Sequence, residues 1–145
     1  MSQIIIRKAE KEDAQAIALM ESKYIEVAWT ENQIISSMDS GLYDFYLAES
    51  GGEVVGYAFV QWCLDEGNLC NVCTDEKFRN LGVATRILNI MHDEAKAKGV
   101  RVMLLEVNER NLGAIALYEK LGYKLLYKRP NYYGSDSALI MQKTI

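Results

Sequence analysis

Proline is nearly absent from this 145-residue chain, and the only one, Pro130, stands near the C-terminal end. No Pro- or Ser-rich linker, low-complexity tract or internal repeat divides the rest, so one domain spanning residues 1–145 is expected. Long apolar runs are missing too. Nothing approaches the ~20 apolar residues that a membrane-spanning helix needs. The short run Ile4-Ile5-Ile6 follows Met1-Ser2-Gln3 with no basic segment ahead of it, and reads as a strand rather than a signal peptide. Positive charge is not in excess. A net charge of -4 argues against nucleic-acid binding, whose affinity comes mostly from Lys and Arg neutralising phosphates. These absences fit a soluble cytoplasmic protein with an amine-bearing or basic partner, and no direct nucleic-acid or membrane partner.

Cysteine and histidine are scarce. Cys63, Cys70 and Cys73 make an odd count in a chain too large to need staples, which points to reduced thiols. Cys70-Asn71-Val72-Cys73 has C-x-x-C spacing, but the segment reads as a strand. Residues an odd number apart on a strand point to opposite faces unless a bulge intervenes, so both thiols are expected to be structural. With His92 the single histidine, on a helical segment, no metal site is expected.

What is present is periodicity. Ile4 to Ala9 reads as a strand, and Asp13 to Tyr24 as a helix with Ala14, Ile17, Ala18 and Met20 at helical spacing. Thr30-Glu31-Asn32-Gln33 matches a capping box, opening a second helix that ends before Gly41. Tyr43 to Glu49 and Val54 to Trp62 form a hairpin about Ser50-Gly51-Gly52-Glu53, followed by a strand from Asn68 to Thr74. Ile87, Leu88, Met91 and Ala95 mark a helix that Gly99 stops. Val100 to Val107 is a nearly continuous apolar run, expected to be a fully buried central strand. Ala114, Leu117, Tyr118 and Leu121 mark a last helix, before strands near Tyr123 to Arg129 and Ser137 to Gln142. The order implies a mixed α/β sheet with strand-helix-strand crossovers in its second half.

Two segments carry chemistry. From Val72-Cys73-Thr74 the chain passes through Arg79-Asn80-Leu81-Gly82-Val83-Ala84-Thr85 into a helix. The first amides of a helix lack intrahelical partners and lie at the positive end of its dipole, so such a loop can cradle an anion. Taken alone, this is also how any helix starts. The second segment, Leu104 to Tyr123, puts Glu106 near the end of an apolar strand and Asn111 and Tyr118 at the start and on one face of the next helix. A carboxylate there is costly unless solvated, paired or used. Glu106 can equally be a strand-end residue facing water, and Tyr118 ordinary core.

Arg79-x-x-Gly82-x-Ala84 resembles the R/Q-x-x-G-x-G/A signature of the GNAT superfamily of N-acyltransferases. The resemblance narrows at Leu105-Glu106-Val107, Asn111 and Ala114-x-x-Leu117-Tyr118-Glu119-x-Leu121-Gly122-Tyr123, which are similar to the ribosomal-protein-alanine N-acetyltransferases, the RimI group. It takes in nearly the whole chain, including Ala28-Trp29-Thr30, Asn131-Tyr132-Tyr133 and Ala138-Leu139-Ile140-Met141. Departures are Ala84 at the second glycine position, Glu76 where a proline is frequent, and the short loop Gly134-Ser135-Asp136-Ser137 where the group often carries a longer acidic segment.

The resemblance implies a GNAT fold of about seven strands and four helices, and acetyl-CoA as cosubstrate without a metal. It implies cofactor contacts from Val72, Cys73, Thr74, Arg79 to Thr85 (Asn80, Leu81, Gly82, Val83 and Ala84 between them) and Asn111. It makes Glu106 the general base and Tyr118 the general acid. The acceptor implied is the N-terminal α-amine of a protein, the alanine of a small-subunit ribosomal protein, clamped by Trp29, Tyr132 and Tyr133. A small-molecule amine or lysine as acceptor, and a non-catalytic acetyl-CoA sensor, stand as alternatives.

Overall fold

A computed structural model describes residues 3–145; Met1 and Ser2 lie outside the described residues. The elements are β1 (Ile4–Lys8), α1 (Ala14–Tyr24), α2 (Glu31–Ser40), β2 (Tyr43–Ser50), β3 (Glu53–Cys63), β4 (Glu66–Thr74), α3 (Val83–Ala97), β5 (Val102–Asn108), α4 (Leu112–Lys120), β6 (Lys124–Tyr133) and β7 (Asp136–Thr144). Single-turn 3-10 segments precede α1 at Lys11–Asp13 and follow β4 at Glu76–Phe78. The strands form one seven-stranded α/β sheet in the order β1-β2-β3-β4-β5-β7-β6. All neighbouring pairs are antiparallel except β4 and β5, which the α3 crossover makes parallel; short turns join β2 to β3, β3 to β4 and β6 to β7, while α1 and α2 lie between β1 and β2.

The capping box forms as expected: Thr30 Oγ1 accepts from Gln33 N–H at 3.2 Å and Gln33 Oε1 from Thr30 N–H at 2.9 Å. One sheet face packs on α3 and α4 through Ile87, Leu88, Met91, Met103, Leu105 and Tyr118. The other packs on α1 and α2 through Ile17, Ile34, Phe45, Tyr57 and Phe59. Each helix thus buries one apolar stripe, the main source of its stability.

Between β4 and β5 the sheet splits. Their parallel ladder ends at Leu69 opposite Leu105, while β4 goes on pairing with β3 as far as Thr74. At that point β4 carries a bulge: Phe59 pairs Asn71 and Val60 pairs Leu69, leaving Cys70 without a partner. A bulge bends its strand and increases the local twist, which carries the end of β4 away from β5 and opens a cleft through the sheet.

Three expectations change. The bulge breaks the alternation between Cys70 and Cys73, so both border the same aromatic cluster with Phe45, Tyr57 and Phe59. Their thiols are free, and burial pushes both up, Cys70 to about 11, away from reactive thiolate character. The strand read as fully buried, β5, alternates: Met103, Leu105 and Val107 are buried while Glu106 is exposed on the opposite face. Asn131-Tyr132-Tyr133, expected in a loop, ends β6 instead. β6 is the sheet edge, where Pro130 forfeits no ladder bond, and a register shift between Arg129 and Tyr133 accommodates Asn131 at φ 56°.

Candidate active site

The cleft is a groove of about 690 Å³. Val72, Cys73 and Thr74 form one wall, the loop and first turn of α3 its end, and Asn111, Ala114 and Tyr118 of α4 the other side. Among the described residues the β5-facing edge of β4 has no strand partner beyond Leu69, so its backbone groups are available to a ligand. Gly82 is the N-cap of α3; its φ of 79° lies in the left-handed region that favours glycine, and no side chain caps the helix. A Cβ on Gly82 would meet nothing within 4 Å, so it is the backbone turn and not protein crowding that requires glycine. With no acidic residue in the first turn, the amides there keep their affinity for an anion. These residues fit the pyrophosphate and amide-bearing arm of coenzyme A.

Arg79, Asn80, Gly82, Val83, Ala84 and Thr85 line this groove; Leu81 does not, and is exposed. Arg79 Nε donates to the Thr74 carbonyl at 3.0 Å and its guanidinium lies 4.9 Å from the Tyr24 ring centre. Tyr24 in turn accepts from Glu76 N–H at 3.2 Å and donates to Asp75 at 3.3 Å, tying the end of α1 to the cradle. Asn111 caps α4, its Oδ1 accepting from Ala114 N–H at 3.2 Å. Tyr118 is buried among apolar groups at the groove, and that burial pushes its phenol up to about 12.

Glu106 lies apart from those residues. Its side chain, 35% exposed, is on the sheet face opposite α3, where Tyr133 donates a hydrogen bond to Oε1 at 3.0 Å and Arg129 lies 3.9 Å from Oε2. Burial and the bond to Glu106 both raise the Tyr133 phenol. Tyr132 stands edge-on to Tyr133, with its ring 5.6 Å from the Arg129 guanidinium. Trp29 packs edge-on against Phe59 and Tyr43 and lines a separate shallow pocket of about 410 Å³ on α2.

Sequence reasoning missed Glu21. Its side chain is fully buried, and its carboxylate accepts from Tyr57 Oη at 2.5 Å, Asn71 Nδ2 at 2.9 and 3.1 Å, and Trp29 N–H at 3.0 Å. It joins α1, the start of α2 and the β4 bulge at one point beneath the cleft. The signal was there: Glu21 stands four residues after Ile17 and seven after Ala14, a charge on an apolar stripe. Among the described residues no group of three side chains that could hold a metal gathers, and no helix is long and apolar enough to cross a membrane.

Residues 6–123 match the acetyltransferase (GNAT) family. The chain is 32% identical over 140 residues to the [ribosomal protein bS18]-alanine N-acetyltransferase of Escherichia coli (strain K12), covering 94% of each protein. It superposes on the crystal structure of the ribosomal-protein-S18-alanine N-acetyltransferase from Escherichia coli with a TM-score of 0.90 and 30% identity, over 99% of this chain and 94% of that one. The fold also matches the PaiA N-acetyltransferase from Thermoplasma acidophilum, solved in complex with coenzyme A, with a TM-score of 0.81 and 20% identity over 99% of each chain. With its split sheet, uncapped α3 and matching sequence along nearly its whole length, the chain belongs to the GNAT family and is an N-acetyltransferase.

Proposed function

We propose that residues 1–145 act as one acetyltransferase domain that moves acetyl from acetyl-CoA to the α-amine of a protein N-terminus, the alanine of a small-subunit ribosomal protein. The observation that carries this reading is the setting of Glu106: a partly exposed carboxylate near the end of an apolar strand, one residue past the point where the β4–β5 ladder stops, held by the aromatic end of β6. The likeness to enzymes named for bS18 alanine acetylation supports the acceptor. Val72 to Thr74, the Arg79 to Thr85 segment and Asn111 would hold acetyl-CoA, which supplies the acyl group as a reactive thioester.

An α-amine titrates near 7.7 to 8.0 and is mostly protonated at neutral pH. Glu106 takes its proton, through a water because a carboxylate is a weak base for so basic an amine. A backbone amide on the open edge of β4 polarises the carbonyl oxygen. Tyr118, held protonated by its burial, donates to the sulfur as negative charge develops there, and the dry surroundings also raise the basicity of the departing thiolate. Trp29, Tyr132 and Tyr133 border the acceptor's approach.

Release of free CoA thiol tests this, with acetyl-CoA and a panel of amines: a peptide with free N-terminal alanine, its blocked twin, lysine and spermidine. Release with the free peptide alone is expected. Release only with lysine or spermidine overturns the acceptor, and silence throughout with acetyl-CoA bound overturns catalysis.

A further inference from the structure

Among the buried titratable groups that the chemistry proposed above does not use, one reaches towards Tyr118 through a single neighbour. His92, the single histidine, lies on the core face of α3 and is 8% exposed. Its Nε2 is 2.7 Å from the hydroxyl of Tyr123, itself almost wholly buried. The Tyr123 ring meets the ring of Tyr118 edge-on, with centres 5.8 Å apart and planes at 61°.

The backbone explains why these two tyrosines meet. α4 ends in a Schellman cap: Gly122, at φ 98°, donates to the Glu119 carbonyl at 3.0 Å, and Tyr123 donates to the Tyr118 carbonyl at 2.9 Å. In this cap the residue after the glycine packs against the third residue from the helix end, and here those residues are Tyr123 and Tyr118. Among the described residues none hydrogen-bonds the Tyr118 hydroxyl. Its direction therefore comes from the packing of its ring. A buried hydroxyl is costly to leave unpaired, so Tyr123 is held at the tilt that reaches His92.

We propose that the His92–Tyr123 pair is a positioning device for Tyr118, tying the acid on α4 to α3, the helix whose first turn closes the groove. The proposal rests on the reading of Tyr118 as the general acid. Neither His92 nor Tyr123 touches the reacting atoms; they act through the Tyr118 ring.

Steady-state kinetics with the amine that turns over in the panel above tests it. Tyr118→Phe is expected to lower kcat about 100-fold. His92→Leu, which strands the Tyr123 hydroxyl, is expected to lower kcat about 10-fold with the acetyl-CoA KM unchanged. The double variant His92→Leu/Tyr123→Phe replaces both partners with apolar groups, and His92→Gln keeps a polar partner; both are expected to recover to within about threefold of the parent. A folded His92→Leu with parental kcat, or a double variant as impaired as the single, overturns the positioning role while an impaired Tyr118→Phe leaves the acid reading standing. A parental kcat in Tyr118→Phe overturns both. If His92→Leu fails to fold, Tyr123→Phe takes its place with the same expectations. A crystal structure of the variant gives a second readout, in which a displaced Tyr118 ring supports the proposal and an unmoved one overturns it.

Discussion

The Tyr133 hydroxyl donates a 3.0 Å hydrogen bond to Glu106 Oε1, joining the edge strand β6 to a carboxylate on β5 across the intervening β7. In the mechanism proposed above, Glu106 is the base on the acceptor's side, and this contact orients its carboxylate. Glu106→Gln keeps the shape and removes the base, so kcat is expected to fall about 100-fold. Acetyl-CoA affinity should stay within about twofold, because the groove residues that would hold the cosubstrate are elsewhere. Kinetics combined with titration calorimetry checks this, and equal loss of turnover and affinity would mean a structural role.

Gly82 combines a left-handed backbone with open space where a side chain would project. Gly82→Ala is therefore expected to cost about 1 kcal/mol of stability through backbone strain. It should also weaken acetyl-CoA binding about 10-fold, since the new methyl enters the groove. Calorimetric Kd and a denaturation midpoint separate the two effects; an unchanged Kd removes Gly82 from the cosubstrate site.

Removing the Glu21 carboxylate strands three donors from Tyr57, Asn71 and the Trp29 backbone. Glu21→Ala is expected to destabilise by about 3 kcal/mol, the scale of breaking a buried charged network. Equilibrium denaturation measures it. A loss below about 1 kcal/mol would show that the cluster around the β4 bulge holds without its central acceptor.

Burial, reinforced by the charge of Lys143 and opposed by Asp93, pushes His92 down to about 4 from its usual 6.5. The unfolded chain then binds a proton between these values that the folded chain refuses. The resulting stability is full above about pH 6.5 and is lost as the pH falls towards 4, with a slope of up to about 1.4 kcal/mol per pH unit. Asp13, whose carboxyl is lowered chiefly by its hydrogen bonds from Arg7, loses its contribution only below that window. Denaturation at about pH 7 and pH 5 is expected to show the difference, and His92→Gln to abolish it.

Much of this molecule follows from local rules. The capping box at Thr30, the glycine that ends α2, the apolar stripe of α3 and the loop from Arg79 to Thr85 each depend on residues within a turn or two of one another. Short-range chemistry settled them, and the spacing of Glu106, Asn111 and Tyr118 carried the family resemblance. The end of β6 was not legible, because Pro130 and Asn131 look like loop residues and only an edge position, with no ladder bond to lose, tolerates them.

The amino-acid sequence by itself determined the elements, their order and the family, since periodicity, caps and motifs are properties of neighbouring residues. The tertiary structure alone decided that the sheet splits at Cys70, that Glu21 closes a network beneath the split, and that His92 reaches Tyr123 from another helix. Each joins residues tens of positions apart. Such pairings depend on register and on the crossing of packed elements, and a strand that gains one residue in a bulge changes faces without any change in its composition.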